Sequence, residues 1–311
     1  MKPHEVRGLW LGLVGVAIFA LTLPMTRLAV GTPEAPQMSG AFIALGRAVV
    51  AAGLSGLFLL WTRAPWPRRA DWWPLAITAA GVVFGFPLLT SVAMRYVEAV
   101  HASVIVGVLP LATALVAALL HRQRPSAGFW ICGGLGSLLV VVFAVLKSPA
   151  GLALHMADVL LLAAMGCAAV GYAYGARLSQ HMRAEHVICW ALLLSLPLTL
   201  PLAWARFPPH PVAPAAWWAF GYVAVFSMWL GFFAWYRGLA LGGTVRVSQV
   251  QLVQPFLSML FAVPLLGETL DALTLGFALA VIATVFIGKK MSVHAPSGAA
   301  PTDPTLAPEK T

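Results

Sequence analysis

Long apolar runs separated by short polar joints dominate the chain. Ten runs reach the roughly 20 mostly apolar residues that a membrane-spanning helix needs: 8–29, 39–61, 73–93, 99–120, 127–146, 157–177, 187–205, 215–236, 246–266 and 270–288. The joints carry Pro, Gly or charge, as in Gly31-Thr32-Pro33-Glu34 and Arg206-Phe207-Pro208-Pro209. Those near Arg95–Glu98 and Gly267–Asp271 are short enough to require tight turns. The first run, from Gly8 to about Val30, is too long for the apolar core of a signal peptide and reads as a first span. The pattern predicts an all-α integral membrane protein with ten transmembrane helices.

The pattern also repeats at about half the chain length. Val106-Gly107-Val108-Leu109-Pro110, with its apolar run to Leu120, corresponds to Gln251-Leu252-Val253-Gln254-Pro255 and a run to Leu266, 145 residues on. Thr26-Arg27-Leu28 parallels Ala176-Arg177-Leu178 at an offset of 150. Five spans per half is an odd number, so the second half enters the membrane from the opposite face. Inverted repeats of this kind mark secondary transporters, with the substrate site between the halves. The predicted organisation is an N-terminal cytoplasmic segment 1–7, a first repeat 8–146, a linker 147–156, a second repeat 157–288 and a tail 289–311. The tail is rich in Pro, Ala, Ser and Thr and lacks the apolar surface to fold, so disorder is expected there.

Composition excludes a soluble fold: 60% of residues are hydrophobic and 9% charged, where soluble domains carry about 25% charged residues. The net charge is +9, yet the basic residues are scattered among joints and no basic face for nucleic acid can form. They set orientation instead. With the N-terminus in the cytoplasm, the inner segments hold Lys2, Arg7, Arg63, Arg68, Arg69, Arg122, Arg124, Arg177, Arg183, Arg237, Arg246, Lys289, Lys290 and Lys310. The outer ones hold only Arg27, Arg95, Lys147 and Arg206, so both termini are expected in the cytoplasm. Trp10, Trp61, Trp72, Trp73, Trp204, Trp217 and Trp218 fall near span ends, where interfacial belts place Trp. Cys132, Cys167 and Cys189 lie within apolar stretches with no CxxC spacing, which suggests neither disulfide nor zinc. Small residues in span 5, Gly128, Gly133, Gly134 and Gly136, and Gly276 in span 10 suit close helix packing.

Charges inside a span are functional suspects. Arg47, about eight residues into span 2, reads either as a gate or anchor for a substrate carboxylate, or as a structural arginine bonded to backbone carbonyls. Span 9 is the most polar: Gln251, Gln254 and Ser258 recur at three- and four-residue steps and share a face, which favours a wet cavity over helix–helix bonding. Pro24, Pro87, Pro110 and Pro255 interrupt spans 1, 3, 4 and 9 as candidate hinges or gates. Glu268 suits a capping carboxylate for helix 10, and Asp158 and Glu98 invite the same reading. No Asp or Glu falls at the centre of a span, which argues against hydrophobic cations and favours neutral or zwitterionic substrates with weak or absent coupling. His101, near the start of span 4, is the titratable alternative for a proton role.

The second half carries Trp235-Tyr236-Arg237-Gly238-Leu239-Ala240, Gln254-Pro255 and Leu266-Gly267-Glu268-Thr269-Leu270. The first carries Ala44-Leu45-Gly46-Arg47, Ala93-Met94-Arg95-Tyr96 and Leu109-Pro110-Leu111. These stretches resemble the drug/metabolite transporter superfamily in its ten-helix branch with two EamA-type repeats. Arg122-Gln123 stands where the first repeat usually carries its own Gly-Glu. The resemblance implies a path surrounded by spans 1, 3, 4, 6, 8 and 9, which adds Trp229 and Tyr172 to the candidate substrate-binding residues. It also places the chain nearest amino-acid exporters of the aromatic-exporter type.

The expected function is export of small metabolites, amino acids foremost, across the bacterial inner membrane by alternating access. Export of cations, sugars or nucleotide-type metabolites, a channel, and an integral membrane enzyme are the alternatives. The chain has no Walker A, HExxH or GxSxG sequence. Expected partners are a small-molecule substrate and membrane lipids, with no nucleic acid, no cofactor and no metal; monomer and homodimer are both open.

Overall fold

The computed structural model of the protein describes residues 3–120, 124–146, 155–243, 247–290 and 293–294. Its described residues form ten helical segments. They are α1 (Pro3–Val30), α2 (Gly40–Trp61), α3 (Arg69–Ala93), α4 (Ala99–Leu120), α5 (Ala127–Leu146), α6 (Met156–Leu178), α7 (Ala184–Ala205), α8 (Pro214–Gly242), α9 (a 3₁₀ stretch Ser248–Val253 running into Gln254–Leu266) and α10 (Ala272–Lys290). Seven of these, α1 to α4 and α6 to α8, are long and apolar enough to cross a membrane. Helix α1 begins at Pro3, ahead of the apolar run, because the fixed φ of proline suits a first helical position. Helix α10 continues through Lys290, and Val293–His294 pairs antiparallel with Arg124–Pro125, so part of the expected disordered tail is ordered. Residues 147–154 of the expected linker and 295–311 of the tail lie outside the described residues. Trp10, Trp61, Trp73, Trp204 and Trp218 are exposed at helix ends.

The helices pack in cross-half pairs rather than as two separate bodies. α1 lies on α8 and α3 on α6, while α2 pairs with α7, α4 with α9 and α5 with α10. The pattern is unchanged when the halves are exchanged: α1·α8 becomes α6·α3, and each of the other pairs maps onto itself. The tightest seam joins α1 to α8. A Cβ on Gly8 would lie 2.5 Å from the backbone nitrogen of Gly242, and one on Gly238 would lie 2.8 Å from that of Gly12, so only glycine allows the two backbones so close. Of the glycines expected to allow close packing, Gly136 of α5 does so, since a Cβ there would lie 3.0 Å from the Thr284 hydroxyl of α10, whereas one on Gly134 or Gly276 would meet nothing within 4 Å.

Four helices are broken at positions that correspond between the halves. In α3 the stretch Ala79–Gly85 is a π-helix, and the Phe86 N–H reaches the carbonyl of Gly81. In α8 the stretch Val223–Leu230 is a π-helix, and the Gly231 N–H reaches the carbonyl of Phe226. The two bonds are related by the offset of 145 that the sequence repeat shows. The breaks in α4 and α9 obey it too: α4 stops at Val106 and restarts at Leu109-Pro110, and α9 changes from 3₁₀ to α at Gln254-Pro255. Such wide and broken turns leave backbone groups to be satisfied locally and often mark functional places. A fifth break, at Leu21 in α1, has its own cause. Pro24 has no N–H for the Ala20 carbonyl, and the Ser258 hydroxyl of α9 donates to that carbonyl instead, at 2.7 Å.

Candidate substrate site

The π-helical stretches of α3 and α8 and the breaks of α1, α4 and α9 converge on one small cavity. Phe19, Thr22, Leu23, Arg47, Val82, Phe86, Val106, Tyr172, Ser227, Phe232 and Gln254 line it. Its volume is about 20 Å³, room for one water. Arg47 is 2% exposed, and its Nε and one terminal nitrogen have no hydrogen-bond partner within the protein. No Asp or Glu is among the lining residues. Placing an unpaired guanidinium out of water costs several kcal/mol. Tyr172 forms the aromatic side, its ring 6.5 Å from Phe19 and 5.5 Å from Trp235 between centroids. The hydroxyls of Thr22 and Ser227 are hydrogen-bonded to each other at 2.8 Å.

Among the sequence-derived candidates, Arg47, Tyr172 and Gln254 come together here, and the others separate. Ser258 satisfies the Ala20 carbonyl, as described. Gln251 is buried with neither amide atom paired, but does not line the cavity. Trp229 packs against Phe58 and Phe233 in an aromatic cluster between α2 and α8. Pro24, Pro87, Pro110 and Pro255 stand at or beside the breaks without lining the cavity. Phe86 and Phe232 belong to the aromatic runs of spans 3 and 8 and line the cavity, whereas sequence reasoning missed Phe19, Thr22 and Ser227. Ser227 lies one offset of 145 from Val82, which also lines the cavity.

His101 lies well away, at the end of the molecule that holds Glu268. There His101 Nε2 meets Asp158 Oδ1 at 2.6 Å, while Asp158 Oδ2 accepts the His155 N–H that starts α6. Glu268 does cap a helix, but not α10 as the sequence suggested. Gly267, in the left-handed region at φ 68°, turns the chain back. The carboxylate then accepts the N–H groups of Ala99 and Val100 at the start of α4, at 2.8 and 2.7 Å. Glu98, the residue before α4, makes no side-chain cap bond. Burial pushes the Glu268 carboxyl above the usual carboxylate range, against the pull of those two N–H bonds.

Two arginines cap each other's helices at the same end. Arg27 donates to the Met94 and Arg95 carbonyls that close α3, and Arg95 donates to the Val30 carbonyl that closes α1 and to that of Met38. Open cavities of about 410 and 440 Å³ flank this network. The opposite end is tied by His181 Nε2 to Asp71 Oδ1 at 2.9 Å and by Arg237 to Glu185 at 2.9 Å. The three cysteines are free, and no cluster of three or more His, Cys, Asp or Glu side chains suited to a metal occurs among the described residues.

Comparison with known proteins accounts for the repeat. The EamA-like transporter family matches residues 6–146 and again 155–288. An uncharacterized transporter of Bacillus subtilis (strain 168), YdeK, is 41% identical over 283 residues, covering 90% of this chain and 96% of its own. A solved crystal structure superposes with a TM-score of 0.63 at 17% identity, covering 91% of this chain and 98% of its own, which shows a shared fold. The two matched stretches, the apolar helices and the relative together place this multi-pass membrane protein in the EamA-like transporter family.

Proposed function

We propose that the protein exports small metabolites, amino acids foremost, across the bacterial inner membrane by alternating access about the central cavity. Ten helices span the membrane as two inverted five-helix repeats, with both termini in the cytoplasm. One observation carries this reading: the unpaired, buried Arg47 faces a cavity built from the breaks of helices in both halves. Secondary transporters place their sites where discontinuous helices of two repeats meet. A carboxylate on the cargo supplies the anion that Arg47 lacks. The lining holds no carboxylate to neutralise a cationic cargo, which disfavours cations. At about 20 Å³ the cavity must widen to admit a metabolite.

The test is uptake of a panel of radiolabelled amino acids into proteoliposomes. Saturable uptake that competes with related amino acids and falls in Arg47→Gln is the expected result. Absence of uptake above empty liposomes, from protein that still melts cooperatively, refutes the amino-acid assignment.

A further inference from the structure

The central cavity has an acceptor side as well as a donor side. Gln254 Oε1 is buried and has no hydrogen-bond partner within the protein. Thr22 and Ser227 present their hydroxyls to the same cavity. Each hydroxyl oxygen has two lone pairs, and the single bond between them occupies only one, so acceptor capacity remains on both. With no Asp or Glu in the lining, a lone cation finds no counter-charge. An ammonium that arrives with its own carboxylate needs none. Arg47 takes the carboxylate, and the amide and hydroxyl oxygens take the ammonium N–H groups.

We propose that Gln254 Oε1, assisted by the Thr22–Ser227 pair, recognises the cargo's α-ammonium, so that the protein selects α-amino acids over the same acids lacking the amine. This rests on the amino-acid reading above and adds the residue that sets its selectivity. The physical basis is asymmetric. An acid without the amine leaves the Gln254 oxygen buried and unpaired, and sites built to bond a polar group reject analogues that lack it.

The experiment uses the reconstituted protein and the best-transported amino acid of the labelled panel. Its deaminated acid and its decarboxylated amine serve as unlabelled competitors. The wild type is expected to bind the deaminated acid at least about 10-fold more weakly than the amino acid. Gln254→Leu brings that ratio toward one by weakening the amino acid, and cooperative melting of the purified variant shows that it is folded. Ser227→Ala produces a smaller change in the same direction. Equal competition by acid and amino acid in the wild type overturns the proposal and leaves the Arg47 reading standing. A ratio unchanged in both variants overturns the assignment to Gln254. Uptake of no amino acid at all overturns the amino-acid reading itself, and this proposal with it.

Discussion

Replacing Glu268 with Ala removes the cap of a helix in the other half of the chain. Two backbone N–H groups, those of Ala99 and Val100, lose acceptors at 2.8 and 2.7 Å. A bond to a charged acceptor is worth about 1.5–3 kcal/mol net. The buried carboxyl has given up solvation, which its raised pKa records, so the capping figure of about 1 kcal/mol per bond is the better guide. The loss is then about 2 kcal/mol, or roughly 3 °C in Tm for a chain of 311 residues. Detergent-purified protein with a thiol-reactive dye reads this directly, because Cys132 and Cys189 are free and buried until unfolding. Glu98→Ala is the matched control: Glu98 precedes the same helix, makes no cap bond, and its repulsion of Glu268 is offset by attraction to Arg27. Its Tm should be nearly unchanged. An unchanged Tm in Glu268→Ala, or a loss in Glu98→Ala instead, refutes the assignment of the cap.

Four further outcomes follow from the same geometry. Ser258→Ala should cost about 1 kcal/mol by orphaning the Ala20 carbonyl, and the cost should shrink in the Pro24→Ala background, where an N–H returns; additive losses in a double-mutant cycle would count against the pairing. Arg47→Met should raise Tm, since an apolar replacement of an unpaired buried charge is neutral or stabilising by about 1–4 kcal/mol, while abolishing uptake; a variant that melts lower shows a structural arginine. Gly238→Val should prevent accumulation of folded protein in membranes, because the α1–α8 seam has no room for a side chain; normal yield and Tm contradict the seam. The folded Glu268 carboxyl binds its proton at higher pH than the unfolded one, so its contribution to stability falls as pH rises from about 4.5 through the raised value. Relative to Glu268→Gln, which stays neutral, the wild-type Tm should therefore fall over that window, and a relative rise reverses the sign of the argument.

What the sequence disclosed and what it withheld divide by range. The spans were legible because apolar length is a local property, and Arg47 because a charge stands out inside an apolar run. The repeat was legible at Pro110 and Pro255 but not at the π-helical stretches of α3 and α8, which carry no residue signature of their own. Partners distant in the chain stayed hidden. Glu268 lies 169 residues from Ala99, so proximity in sequence assigned its cap to the wrong helix. Ser258 shares a face with Gln254, yet its bond to Ala20 depends on a proline 234 positions earlier. Trp229 had the right chemistry for a pocket and the wrong azimuth on α8, which a single helix pattern does not report.

The glycine seam between α1 and α8 sets a schedule for biogenesis. Gly8 emerges from the ribosome 234 residues before Gly242. At about 5–20 residues per second that interval is on the order of 10–50 s. During it, α1 sits in the bilayer with its glycine stripe facing lipid, and α2 and α3 likewise await α7 and α6. Insertion of each helix is thus separated in time from its packing, as a two-stage process requires. A nascent chain stalled at the midpoint leaves α1, α2 and α3 without the partners that they pack against in the finished protein.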